Sequence, residues 1–179
     1  GNQQNKQGRG DIFHGPPITF LRQTPSPALA LTCATGHAAT MSRPPGTAVR
    51  AIILDQGRLL LANAYAGHTD LWCAPGGGIE AHASLPDKLI REVHEETGLS
   101  ITVVAPCLMN EFHDPERDFH QIDIYFHAAI AHGAVNSDWA DPEGIVTHRR
   151  WVTKDEAQVL RIKPDALIHA AWGDGEAIL

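Results

Sequence analysis

Long apolar runs, paired cysteines and an excess of positive charge are all missing from this sequence, and each absence removes a class of function. No stretch of about 18 consecutive apolar residues occurs, so no membrane-spanning helix is expected. The three cysteines, Cys33, Cys73 and Cys107, are odd in number and show no C-x-x-C spacing. That argues against a disulfide framework and a zinc site, and it fits a reducing, cytoplasmic setting. Among the 11 histidines there is no H-E-x-x-H, and His113, His120 and His127 read as scattered polar residues rather than ligands. Lysine and arginine number 14 against 21 acidic residues, for a net charge of −7. A chain that acidic lacks the basic surface needed to grip a nucleic-acid polymer without regard to sequence, whereas a small nucleotide handled through a metal ion stays open. Hydrophobic residues make up 43% of the 179, enough for the core of one domain.

The chain changes character near residue 45. Residues 1–45 hold six of the twelve prolines, open on a Gln/Asn/Gly-rich run and include a small-residue stretch from Ala28 to Thr40. Their order of polar, aromatic, proline and alanine differs from the basic start and apolar core of a secretory signal. Residues 1–45 are therefore expected to be an extension that the fold does not need. Docking of that extension on the domain, or on a second copy of the chain in a homodimer, is the alternative. The folded domain is expected over 46–179.

Within the domain, one stretch concentrates the chemistry. Gly76, Gly77 and Gly78 lead into a segment that carries Arg91, Glu92, Glu95 and Glu96 within six residues and stops at Gly98. Ser84 is a good N-cap, Asp87 pairs with it three residues on, and Pro86 falls in the first turn, where its missing N–H costs nothing. Leu85, Leu89, Ile90 and Val93 make an apolar stripe, and Thr97-Gly98 is a stop. At about 100° per residue, Glu92 and Glu96 stand one above the other with Glu95 beside them, away from the stripe. A solvated acidic face is the ordinary reading of such residues. Two features count against it: a Gly-rich turn allows backbone to approach a ligand closely, and like charges four residues apart destabilise a helix unless a cation relieves them. Hard oxygen donors on a helix suit Mg²⁺ or Mn²⁺, which share their remaining positions between water and substrate phosphates.

At these residues the sequence resembles the Nudix hydrolases. Their signature is Gly, five residues, Glu, seven residues, Arg-Glu, an aliphatic, any residue, Glu-Glu, any residue, Gly and an aliphatic. Gly77 fits the first position and Arg91 to Leu99 fit the whole second half, with Trp72 to Glu80 resembling the usual approach. One position departs, because Ala83 stands where the first Glu belongs. The resemblance covers about residues 46–160 and implies a three-layer α/β/α sandwich around a mixed β-sheet. It further implies metal-dependent hydrolysis of the pyrophosphate bond in a small nucleoside diphosphate derivative, such as ADP-ribose, a sugar nucleotide or a damaged nucleoside triphosphate. Glu92 and Glu96 match the main metal ligands, Glu95 a further or outer one, and the Gly76 carbonyl completes the site by analogy. Arg91 matches the arginine that holds the first ligand by a charge-assisted hydrogen bond. Glu143, eight residues ahead of Trp151, is the first candidate for general base, with Asp141 behind it; Asp138, Asp141 and Glu143 read equally well as a solvated loop. Trp72, Phe112, Tyr125 and Trp151 are candidates for stacking on a nucleobase or for the core. Glu80 and His82 are placed to fill part of the gap left by Ala83. The second functional reading, motivated by Ala83, is a Nudix-fold binding or regulatory module with weak or no hydrolysis.

Around this stretch the patterning predicts a hairpin of Val49–Leu54 and Arg58–Ala62 across Asp55-Gln56-Gly57, then a short strand from Asp70 to Ala74. It also predicts a strand from Ser100 to Leu108 and a loop over Phe112–Asp118. The strand from His120 to Ile130 alternates, with Ile122, Ile124, Phe126 and Ala128 on its buried face and Asp123, Tyr125 and His127 on its outer one. A strand at Arg149–Val152 and helices over Lys154–Leu160 and Pro164–Trp172 close the chain.

Overall fold

In the computed structural model, residues 44–173 are described, and the expectation for the N-terminal extension lies outside them. Strands β1 (Gly46–Asp55) and β2 (Arg58–Asn63) form the predicted hairpin, with Gln56 and Gly57 both at positive φ, as a tight two-residue turn requires. Next come β3 (Trp72–Cys73), helix α1 (Leu85–Thr97), the long pair β4 (Ser100–Asp114) and β5 (Phe119–His132), β6 (Arg149–Val152), and two short helices, α2 (Lys154–Gln158) and α3 (Leu167–Trp172). Among the described residues six strands make one mixed sheet in the order β3-β2-β1-β5-β4, with β6 also pairing β2. Strand β1 runs parallel to β5 from Gly46↔Gln121 to Ile53↔Ala128, and the other pairings are antiparallel.

Alternation along β1 divides the core. Val49, Ala51 and Ile53 point to one face, where they meet Leu89 and Val93 of α1 with Leu60, Leu99 and Phe126. Ile52 points to the other, among Leu59, Leu61, Trp72, Tyr125 and residues of α2 and α3. Helices thus cover both faces of the sheet, and the fold is the expected α/β/α sandwich.

Four sequence expectations change. Strand β5 is buried on both faces: Tyr125 joins the core under α2 and α3, and Asp123 is buried as well. The alternation of β5 separated its two faces but could not show that the polar one is also covered. Strand β4 continues to Asp114 through residues expected to be loop, broken by irregularities between Ser100 and Ile101, Val103 and Ala105, and Pro106 and Leu108. As an edge strand it pairs on one side only, so Pro106 and polar residues are tolerated where register slips. Ile90 lies outside the buried stripe of α1 and is 37% exposed, whereas Lys88 and Glu92 are buried. The last two helices are shorter than predicted: Thr153 and Glu156 form a capping box that starts α2, and Pro164 lies in the turn ahead of α3. No helix of the described residues is long and apolar enough to cross a membrane.

Candidate active site

The glycine run is fixed by main-chain bonds to β1. Ala51 N–H donates to the Pro75 carbonyl (2.8 Å), Val49 N–H to the Gly77 carbonyl (3.0 Å) and Ile79 N–H to the Thr47 carbonyl (2.9 Å), so the loop lies along the edge of β1 away from β5. Gly76 sits at φ +139°, and a Cβ there would overlap the Val49 carbonyl oxygen and stand 2.9 Å from Arg50 Cα. A Cβ on Gly77 would overlap Glu92 Oε2. Only glycine lets the loop pack between the strand and the helix carboxylates.

Helix α1 is placed by its ends. Ser84 caps its start and Gly98, at φ +76°, its finish, as the sequence predicts. Two of the carbonyls left free in the last turn are taken by distant residues: Trp139 Nε1 donates to the Glu95 carbonyl (2.8 Å) and Arg149 Nε to that of Glu96. The Arg149 guanidinium also reaches the carbonyls of Trp139 (3.0 Å) and Val146 (2.9 Å), tying the 133–148 segment to the helix. Buried Asn63 holds the same segment, its Oδ1 accepting from the N–H groups of Thr147 (2.9 Å) and His148 (2.8 Å).

Between the glycine loop, α1, the outer part of the β4–β5 pair and residues 143–146 lies a cleft of about 900 Å³. Glu92 and Glu96 line it together. Glu96 Oε2 accepts the Gly76 N–H (2.8 Å), and burial pushes its pKa up to about 7 despite that bond and the charge of Arg50. Glu92 Oε1 stands 2.5 Å from Lys88 Nζ, which also reaches Glu80 Oε1 (3.0 Å). Burial alone would lower the Lys88 pKa, but the bonds from Glu92 and Glu80 outweigh it, so the ammonium keeps its proton. Beside them, Arg50 Nη1 donates to the Gly76 carbonyl (2.6 Å), and its Nε approaches Asp123 (3.4 Å). Burial also pushes up the Cys73 thiol and the Tyr125 phenol on the cleft wall, so both are neutral near pH 7.

Not every sequence candidate arrives at the cleft. Glu95 does not line it, and Arg91 is half-exposed, with Nη2 2.9 Å from Glu80 Oε1 but 3.9 Å from Glu92. The close contact to Glu92 expected of Arg91 is made by Lys88 instead. With Ala83 short of a carboxylate, it is Glu80 that faces both Lys88 and Arg91. The Gly76 carbonyl, expected to complete a metal site, already accepts from Arg50 and offers only its second lone pair. Gly78 lines the cleft with Gly76 and Gly77. Of the three loop acids, only Glu143 lines the cleft, because Asp141 is used up by the N–H groups of Glu143 (3.0 Å), Ile145 (3.0 Å) and Val146 (2.8 Å). Trp72 is core, Trp151 packs against the core under α1, and Tyr125 is buried; Phe112 is exposed in the cleft, edge-on to Phe119 with ring centroids 5.6 Å apart.

Among the described residues, no three His, Cys, Asp or Glu side chains converge tightly enough to hold a metal ion by themselves. The donor set nevertheless suits one. Two carboxylates one helical turn apart face the same cleft, Glu96 is ionised there only against its own burial, and Gly77 leaves Glu92 Oε2 the space that a Cβ would fill. Sequence reasoning missed Arg50, Lys88, Trp139 and Arg149. Arg50 was visible as the one charge inside the apolar run from Ala48 to Leu54, and Lys88 as the residue one turn before Glu92 on the same face. Trp139 and Arg149 act across 44 and 53 residues of chain, and no local pattern marks them.

Comparison with known proteins bears on the same segment. A family model described as the NUDIX domain matches residues 44–172, which takes in α3 beyond the limit of 160 read from the sequence. An RNA pyrophosphohydrolase of Cellvibrio japonicus (strain Ueda107) is 52% identical over 44 residues, which is 25% of this chain and 25% of that protein, so the match spans only a quarter of the relative's length. In fold, the chain is similar to a UDP-X diphosphatase, at a TM-score of 0.60 and 16% identity over 79% of this chain and 70% of that one. It is also similar to a NUDIX hydrolase from Nitrosomonas europaea, at a TM-score of 0.59 and 21% identity over 70% of this chain and 85% of that one.

Proposed function

Since this chain belongs to the NUDIX family, we propose that it hydrolyses a phosphoric anhydride bond in a small nucleoside diphosphate derivative, with residues 46–179 as the hydrolase unit. The observation that carries the reading is the pairing of Glu92 and Glu96 in one cleft beside the glycine loop. The relatives named as a diphosphatase and an RNA pyrophosphohydrolase support phosphoric anhydride hydrolysis as the reaction class. The cleft volume is in the range that encloses a small ligand. Its walls carry Arg50, Lys88, Arg117, Arg161 and Lys163, cations suited to phosphate oxygens, and the exposed rings of Phe112, Phe119 and Tyr65 offer faces for a base.

Glu92 and Glu96 would hold a divalent ion, Mg²⁺ or Mn²⁺, which when bound neutralises phosphate charge and makes water a stronger nucleophile near neutral pH. The chain supplies the rest. Arg50 fixes the Gly76 carbonyl, and through it the loop against which Glu92 rests. Glu143, exposed at the mouth, is free to take a proton from water, whereas Asp141 is not. Glu95 would act at most from outside the cleft.

A phosphate-release screen over ADP-ribose, sugar nucleotides and oxidised nucleoside triphosphates, with Mg²⁺ and with Mn²⁺, tests the reading; turnover that vanishes on adding chelator is the expected result. The second reading, a nucleotide-binding module without hydrolysis, draws on Ala83 and on the Lys88 ammonium that already occupies Glu92. It predicts silence across the panel with ligand binding retained.

Metal and pH are expected to act on stability together. Burial lifts the Glu96 pKa from 4.5 to about 7, so the folded state holds a proton there that the unfolded chain has lost between those values. The stability this group contributes is complete below about 4.5 and is lost as pH rises through 7. Without metal, the wild-type melting temperature should fall from pH 5.5 to pH 8 by more than that of Glu96→Gln. Millimolar Mn²⁺ should raise it more at pH 8 than at pH 5.5, because the ion binds the ionised carboxylate of the folded state. Thermal melts at the two pH values, with and without chelator, check both statements; an Mn²⁺ shift that is equal at both would count against Glu96 as a ligand.

A further inference from the structure

We propose that Lys88 is a resident cation that competes with the divalent ion for Glu92 and so sets the metal concentration at which the site fills; this rests on the metal-dependent reading above. The observation is geometric. Lys88 Nζ lies 2.5 Å from Glu92 Oε1 and 3.0 Å from Glu80 Oε1, and the Lys88 side chain is only 7% exposed.

Nothing in the helix itself favours a lysine there. Lys88 stands in the opening turns of α1, where the helix dipole disfavours a cation, and Lys four residues before Glu is the weaker order for such a pair. Burying an ammonium is unfavourable unless it is paired and hydrogen-bonded, and Glu80 and Glu92 supply that pairing. Glu92 has the matching need. Its carboxylate is buried, its Oε2 rests against the glycine loop, and Arg91, at 3.9 Å, is the more distant of its two cations. The Lys88 ammonium therefore sits at the Glu92 oxygen nearest to it, in the role a metal ion would otherwise take. A divalent ion arriving at Glu92 must outbid this contact, and Glu80 then retains the displaced ammonium within the cleft.

The position of Ala83 agrees. A carboxylate at that site is missing, Glu80 faces two cations instead of one, and Lys88 and Arg91 together balance the charges of Glu80 and Glu92. The four side chains form a neutral cluster without metal, so metal binding has to break an existing ion pair rather than relieve a repulsion.

Direct Mn²⁺ titration of the full chain, followed by loss of the free-ion electron paramagnetic resonance signal, tests this without reference to turnover. Lys88→Met keeps length and apolar stem but removes the charge, and it is expected to bind Mn²⁺ at least about tenfold more tightly than wild type, the scale typical of groups that tune a metal ligand. Lys88→Arg keeps the charge and should stay within about threefold of wild type. The Mn²⁺-induced rise in melting temperature should reach its midpoint at a correspondingly lower concentration in Lys88→Met. Should the methionine variant melt below the assay temperature, Lys88→Gln reads the same quantity with a polar head kept between the carboxylates. Equal or weaker Mn²⁺ binding by a folded charge-removed variant, beside a wild type that binds, overturns the inference and leaves the metal reading standing. No Mn²⁺ binding in any of these proteins overturns both.

Discussion

Glu96→Gln is expected to cut turnover by at least about 100-fold while leaving the protein folded, the scale of loss seen when a group that stabilises developing charge is removed. Glutamine keeps the volume and helix propensity of glutamate, and its amide oxygen can still accept the Gly76 N–H that Glu96 accepts at 2.8 Å. What disappears is the negative charge. In the metal-free protein above pH 7 that charge is held against its own burial, so the variant should melt no lower than wild type at pH 8 and lose most of the Mn²⁺-induced shift. A loss of activity together with unchanged or higher stability separates a ligand role from a structural one. Activity within about threefold of wild type would remove Glu96 from the site.

The parts of this molecule that sequence made legible are those whose causes are local. Ser84, Pro86 and Gly98 fix the ends of α1 within its own residues, and Gln56-Gly57 fixes the first hairpin. The signature match around Gly77 and Arg91 to Leu99 rested on the same kind of information, and it led to the right family and layers. What escaped was set by partners far along the chain. The alternation of β5 separated Tyr125 from Phe126, but whether the Tyr125 face meets water depends on α2 and α3, more than 25 residues later. Likewise the resemblance gave Arg91 the role of holding the first ligand, yet the loop that brings Glu80 to α1 decides which cation meets which carboxylate. Helical geometry favours Lys88, one turn before Glu92, over the adjacent Arg91, but a lysine in an acidic segment carries no mark of burial until the fold closes over it.

Gly76→Ala and Gly77→Ala, one residue apart in the same loop, are expected to fail in different ways. At Gly76 the new methyl would meet the Val49 carbonyl oxygen and Arg50 Cα, both main-chain atoms of a central strand, from a backbone at φ +139° that only glycine adopts freely. Neither strand nor loop can yield without losing the bonds between Ala51 and Pro75 and between Val49 and Gly77, so Gly76→Ala should destabilise the domain by about 3 kcal/mol or more, read in urea melts. At Gly77 the obstacle is the end of the Glu92 side chain, and the backbone there needs no positive φ. Glu92 can swing away more readily than the main chain of a central strand can move, at the cost of its contact with Lys88, which leaves the fold intact but takes the carboxylate out of the place where Gly77 and Lys88 hold it. Gly77→Ala should therefore lose less stability than Gly76→Ala yet lose turnover by about 100-fold or more, with weakened Mn²⁺ binding. If Gly77→Ala instead hydrolyses substrate at the wild-type rate, the position of Glu92 against the glycine loop has no part in the chemistry, and the reading of the cleft as a carboxylate-built site loses its geometric basis.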